Sequence, residues 1–212
     1  MNIMKEIIPA IIADNQKDLE DRVKKVRDFV NIIQLDFMDN SFVPNKSLWF
    51  DFVLPSSDVV FEAHLMVKKP MSWIENHLDE IDIFLIHYES DDDLGETIDL
   101  VRDADRSVGL VINPETSVEK IMPYIDRLDQ VLVMTVTPGF YGSPFLPDML
   151  KKVRYLRSKY PSLELEVDGG ITKDTISQAA RAGANKFVSG SFIVKSDNPQ
   201  KAINQLLEAS DL

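Results

Sequence analysis

Short runs rich in Ile, Val and Leu recur along the whole chain, separated by longer amphipathic stretches, and this alternation constrains the fold more than any other feature of the sequence. A brief, continuous apolar run suits a strand covered on both faces, and such strands belong to parallel sheets whose neighbours are joined by helices. The runs lie at Glu6–Ala10, Ile32–Met38, Val59–Met66, Ile81–His87, Ser107–Ile112, Gln130–Met134, Glu164–Val167 and Lys186–Val188. Repeated βα units of that number predict an α/β protein, a single (β/α)8 TIM barrel covering residues 1–212.

The intervening stretches carry helix signals. Over Gln16–Val30 the apolar residues Leu19, Val23, Val26 and Val30 fall three or four apart, along one helical face. Met149, Val153 and Leu156 repeat the spacing after a proline-rich turn. Asp174–Ala182 stops at Gly183, and Pro199 is placed to open a last helix through Leu207. No linker or low-complexity tract divides the chain, so one domain is expected.

Charge and composition narrow the partners. A net charge of -12 repels nucleic-acid backbones and anionic membranes. There is no cysteine, hence no disulfide framework, no thiolate nucleophile and no thiolate metal ligand. The opening MNIMKEIIPAIIAD has an acid and a proline within a short apolar run, unlike a secretion signal or a spanning helix, and the expected location is the cytoplasm.

In a barrel the residues just after each strand gather at one mouth, where active sites of this fold lie. Here they read Pro9-Ala10, Gln34 to Asp39, His64-Leu65-Met66, Met134 to Gly142, Asp168-Gly169-Gly170 and Gly190-Ser191. Alternation puts Gln34 and Asp36 on one face of their strand, and His64 and Met66 on one face of theirs. Asp36 and Asp168 belong to the second and seventh strands, roughly 135° apart around an eightfold ring, so two carboxylates could flank one substrate. That pairing suits removal of a proton beside a carbonyl and its return to the opposite face. A lone Asp at a strand end is more often a helix cap or an ion-pair partner; the pair, with His64 between, favours chemistry. Glycines after the seventh and eighth strands let backbone N–H groups approach a phosphate. Thr137–Gly142 after the sixth adds a third element of such a cradle, or a lid.

The segments LDFMDNSFVPN, EAHLMV, NPET, VMTVTPGF, EVDGGI and VSGSFI resemble, in order and over nearly the whole chain, the signatures of the ribulose-phosphate 3-epimerase family. The resemblance implies a phosphate-binding barrel that interconverts D-ribulose 5-phosphate and D-xylulose 5-phosphate, or a six-carbon analogue such as allulose 6-phosphate, through a cis-enediolate. It implies that Asp36 and Asp168 are the paired acid and base, and that His64 joins them in holding a divalent metal. It further implies that Met38, Met66 and Met134 wall the reaction site, that Gly139, Gly142, Gly169, Gly170, Gly190 and Ser191 hold the phosphate, and that the protein is a homo-oligomer. It implies no organic cofactor.

Two positions depart from the family pattern. The second strand normally carries a metal-binding histidine two residues before the aspartate, where this chain has Gln34, and the first strand normally ends Pro-Ser, where this chain has Ala10. An amide oxygen is a poorer ligand than imidazole for zinc or ferrous ion and better matched to manganese or magnesium. Weaker or differently selective metal binding is therefore expected, with Gln34 as the fourth ligand beside Asp36, His64 and Asp168. These departures also keep open a catalytically altered sugar-phosphate-binding barrel. A decarboxylase or aldolase of the same fold is disfavoured, because Leu35 and Phe37 stand where those enzymes place a lysine between aspartates.

Other features carry less. Trp49, Phe50, Phe52 and Trp73 are read as packing or a subunit contact in a helical context, His77 as exposed, His87 as hydrogen-bonded in the barrel wall, and the acidic run Glu89–Asp93 as a solvated turn before a helix.

Overall fold

A computed structural model describes residues 4–139 and 142–212. Among them, eight parallel strands close into a barrel: β1 (Glu6–Ile11), β2 (Ile32–Asp39), β3 (Val60–Met66), β4 (Ile83–His87), β5 (Ser107–Ile112), β6 (Gln130–Met134), β7 (Glu164–Asp168) and β8 (Lys186–Ser189). Each pairs with the next, and β1 pairs with both β8 and β2, which completes the ring. A two-residue antiparallel extension, Lys46–Ser47, folds back on the end of β2.

The expected strands are all present, with edges displaced by at most two residues. The fourth begins at Ile83 rather than Ile81, because the Ile81 amide bonds the carbonyl of His77 and the chain enters the sheet only afterwards. The outer ring contains α1 (Gln16–Val26), α2 (Met71–His77), α3 (Leu94–Asp103), α4 (Leu150–Lys159), α5 (Ile176–Ala182), the short α6 (Ser191–Val194) and α7 (Pro199–Ser210); Val118–Arg127 forms a 3-10 helix between β5 and β6. In α1 the cap is Asn15, whose side chain accepts the Asp18 N–H, and Leu19, Val23 and Val26 are buried as their spacing requires. The helix stops four residues earlier than expected: Arg27–Phe29 tightens to a 3-10 turn, and Val30 is already extended to enter β2. Met149 falls in a 3-10 turn opened by Pro147, just before α4. Thr175, whose hydroxyl bonds the Gly170 carbonyl, holds the turn ahead of α5, so that helix starts at Ile176.

Period-two alternation divides each strand between two cores. Outward residues such as Ile33, Leu35, Phe37, Ala63 and Leu65 pack under the helices in the larger cluster. Inward residues such as Ile8, Leu85, Val111, Leu132 and Val188 fill the barrel. Below them the interior holds a buried polar group: Lys186 donates to Gln130 Oε1 (2.5 Å), and Gln130 Nε2 donates to Glu62 Oε2 (2.6 Å) and Glu166 Oε2 (2.9 Å). A β-carbon on Gly109 would overlap Leu85 and Gln130, so glycine there makes room for the Gln130 side chain. Burial and the neighbouring Glu62 charge push the Glu166 carboxyl well up. Protonated, Glu166 donates to Glu62.

The aromatic expectation needs correction. Trp49, Phe50 and Phe52 lie in the irregular segment before β3, not in a helix; Phe52 is buried against Phe37 and His77, and Trp49 remains about one-third exposed at 37%. His77 is half-buried, stacked on Trp73 with ring centroids 4.0 Å apart. None of the described helices is long and apolar enough to cross a membrane.

Candidate functional site

The register of β2 against β3 sets the site: Asp36 pairs with His64 and Met38 with Met66, while on the far side of the ring Met134 pairs with Asp168. All are inward positions at the carboxyl ends of their strands, and together they line a cavity of about 340 Å³. Ala10, Gly139, Gly142, Gly169, Gly170, Gly190 and Ser191 border the same cavity. Thus every expected site residue except Gln34 reaches it; Phe140 and Tyr141 of the expected lid lie outside the described residues. Gly169 is held at φ +114°, and a β-carbon would drive into the Val136 side chain, so glycine is required where β7 turns out of the barrel.

Gln34 sits one layer below, fully buried, with its amide nitrogen among the polar groups. Nε2 donates to Asp36 Oδ1 (2.7 Å) and Asp168 Oδ2 (3.0 Å) and lies 3.3 Å from His64 Nδ1. His64 Nδ1 is 3.1 Å from Asp36 Oδ1 and 3.3 Å from Asp168 Oδ2. Burial raises the Asp36 carboxyl above its ordinary value, with the Asp168 charge adding to the effect and the His64 bond opposing it. Burial alone would lower His64, but its bonds to Asp168 and Asp36 and their charges outweigh that, and its pKa rises to about 9.

Asp36, His64 and Asp168 offer three ligand atoms within 4.8 Å of one another. The Gln34 amide oxygen is buried and has no hydrogen-bond partner among the described residues. Turning that amide over would bring an oxygen towards the two carboxylates, an arrangement that a cation between them makes favourable. Asp36, His64 and Asp168 therefore fit a divalent ion, with two carboxylate oxygens and one imidazole nitrogen as donors.

Sequence reasoning missed a second tier. His87 was expected to be hydrogen-bonded in the wall, and it is; its partner, however, is His64, with the two Nε2 atoms 2.9 Å apart. Glu89, read as part of a solvated turn, is instead half-buried, with Oε2 3.3 Å from His87 Nδ1 and Oε1 accepting from the Thr116 hydroxyl and the Asn113 N–H. Burial lowers His87 to about 4, with His64 adding to the effect and Glu89 opposing it. The rest of the acidic run does form a turn before a helix, with Asp91 and Asp93 exposed as expected, and Asp93 also caps α3 by accepting the Glu96 N–H. Asn45, within the quoted LDFMDNSFVPN segment but given no role, lines the cavity and donates to the Gly139 carbonyl (2.8 Å). Lys152 pins the NPET loop through the carbonyls of Asn113, Pro114 and Thr116.

The model of the "Ribulose-phosphate 3 epimerase family" matches residues 6–194. Among relatives, a ribulose-phosphate 3-epimerase of Schizosaccharomyces pombe is 35% identical, covering 96% of this chain and 93% of its own. The Bacillus subtilis enzyme of that name is 33% identical over 96% of this chain and 98% of its own, and one from Oryza sativa, named a cytoplasmic isoform, is 35% identical over 95% and 92%. A solved 3-keto-L-gulonate-6-phosphate decarboxylase from Vibrio cholerae superposes with a TM-score of 0.72 over 99% of this chain and 98% of its own, at 14% identity, a likeness of fold alone.

Proposed function

The chain belongs to the ribulose-phosphate 3-epimerase family, and we propose that Asp36 and Asp168 are the two proton-transfer groups with which it inverts carbon 3 of a phosphorylated ketose. It is an isomerase, an epimerase of ketose phosphates. The proposed substrates are D-ribulose 5-phosphate and D-xylulose 5-phosphate, with allulose 6-phosphate as the six-carbon alternative. The observation that carries this reading is the convergence of the two carboxylates, from β2 and β7, on one amide group and one imidazole at the floor of a single cavity.

In one direction Asp168 takes the proton from carbon 3, and Asp36, whose burial favours the protonated form, returns one to the opposite face; the reverse reaction exchanges the roles. Met38, Met66 and Met134 present flexible apolar surface that excludes water from the intermediate. Gly139, Gly142, Gly169, Gly170, Gly190 and Ser191 are assigned to the phosphate, which fixes the sugar so that carbon 3 lies between the acids. Ala10 replaces a hydroxyl with a methyl in this wall, removing one polar contact that would discriminate between sugars. Asp36, His64, Asp168 and Gln34 would hold a divalent metal. Such an ion neutralises charge developing on the enediolate oxygens. The oxygen-rich set favours manganese or magnesium over zinc or iron. A homo-oligomer in the cytoplasm, with no nucleic-acid or membrane partner, completes the proposal.

The test is solvent deuterium exchange at carbon 3 with five- and six-carbon ketose phosphates, with a chelator and then with each divalent metal. Exchange with inversion is expected in the native enzyme; Asp36→Asn and Asp168→Asn should each lose inversion and lose exchange in the epimer whose hydrogen faces the missing acid. Inversion that survives either change overturns the two-base reading, and sugar-phosphate binding without turnover under every metal favours a binding protein instead.

A further inference from the structure

His87 ends β4 outside the proposed reacting set, yet it is fully enclosed and touches that set through one atom. Its Nε2 faces His64 Nε2 at 2.9 Å, the two rings lying nearly parallel, 21° apart. Two N–H groups cannot point at each other across that distance, so a single proton lies between these nitrogens. Glu89 decides which one carries it. Its Oε1 already accepts from Thr116 and from the Asn113 N–H, its Oε2 meets His87 Nδ1, and an ionised carboxylate only accepts; His87 Nδ1 therefore bears a hydrogen. The Phe42 ring packs over His87 with centroids 4.6 Å apart, closing it off from water and keeping the imidazole neutral. A neutral ring protonated on Nδ1 has a bare Nε2, and His64 must donate its Nε2–H to it.

We propose that His87, oriented by Glu89 and Thr116, is a positioning residue that holds the His64 Nε2–H and so aims the His64 Nδ1 atom at Asp36 and Asp168. This inference rests on the proposed function, in which His64 Nδ1 is the nitrogen donor of the metal set. Orientation of a ligating imidazole through its second nitrogen commonly changes metal affinity by about 10–100-fold. The same chain couples the loop after β5, which supplies Asn113 and Thr116, to the floor of the cavity.

Long-range proton–nitrogen NMR on histidine-labelled protein reads the tautomers directly, because the chain has 3 histidines. In the native protein near neutral pH, the expected spectrum shows His87 protonated on Nδ1 with a bare Nε2; a His87 protonated on Nε2 overturns the proposal, whatever any variant does. Calorimetric titration with manganese then compares His87→Leu with His87→Gln, whose amide oxygen can still accept the His64 proton. Affinity should fall about 10-fold or more in His87→Leu and stay within about threefold of native in His87→Gln. A folded His87→Leu that binds manganese as tightly as the native protein overturns the proposal. Because NMR and titration need no turnover, a native protein that shows these tautomers and affinities but never epimerises a sugar contradicts the functional reading alone.

Discussion

The Gln34 amide nitrogen donates to Asp168 Oδ2 at 3.0 Å, joining the side chains of β2 and β7 across the floor of the barrel. The same nitrogen donates to Asp36, so a single NH2 group holds together the two acids on which the proposed epimerisation depends. In the proposed metal set this neutral amide would supply the fourth ligand, through an oxygen that has no hydrogen-bond partner among the described residues.

Replacing Gln34 by His should convert this arrangement to a two-imidazole, two-carboxylate set. Zinc affinity by calorimetry is expected to rise at least about tenfold over the native protein, with a smaller gain for magnesium. Equal zinc affinity in the two proteins would show that the amide already ligates as well as an imidazole.

Asp36→Asn and Asp168→Asn should each lower kcat by about 10²–10⁴-fold while changing KM little, since each removes a proton carrier but leaves the phosphate contacts. Steady-state kinetics on both singles and the double variant check this. Because the two acids act as a unit, the double variant should lose far less than the product of the two single effects.

Glu166→Gln should stabilise the protein, and more so as pH rises. The native carboxyl has its pKa raised well above 4.5, so the folded chain keeps a proton that the unfolded chain has released. Its contribution is fully present below the unfolded value and is lost as pH climbs towards the folded one. A glutamine keeps one donor and one acceptor and has no proton to lose. Thermal unfolding should place the variant above native by on the order of 1 kcal/mol at about pH 8.5 and near parity at about pH 5. A gap that widens towards acid would contradict the assignment.

Gly169→Ala places a methyl at φ +114° against Val136. A stability loss of roughly 1–3 kcal/mol is expected from strain and overlap, read by denaturant unfolding. KM for the sugar phosphate should rise with it, because the β7 turn borders the cavity.

The amino-acid order alone determined the barrel, since strands covered on both faces and helices covered on one leave different apolar periods in the chain; this is why β5 and β6 were found to the residue and the others nearly so. It also determined that Asp36, His64 and Asp168 share one mouth, because alternation fixes the face and strand order fixes the position in the ring. Helix ends were less legible: whether Arg27 continues a helix or tightens a turn depends on where the next strand docks. Roles set by long-range contact were not legible at all. Glu89 looked like one more acid in a solvated run until closure of the barrel laid the loop after β5 against it, giving its carboxylate the Thr116 hydroxyl and the Asn113 N–H, while His87, its neighbour two residues back, met His64 on β3. Local sequence fixes which way a side chain faces, but only the packed ring decides what it meets there, because those partners are tens of residues away along the chain.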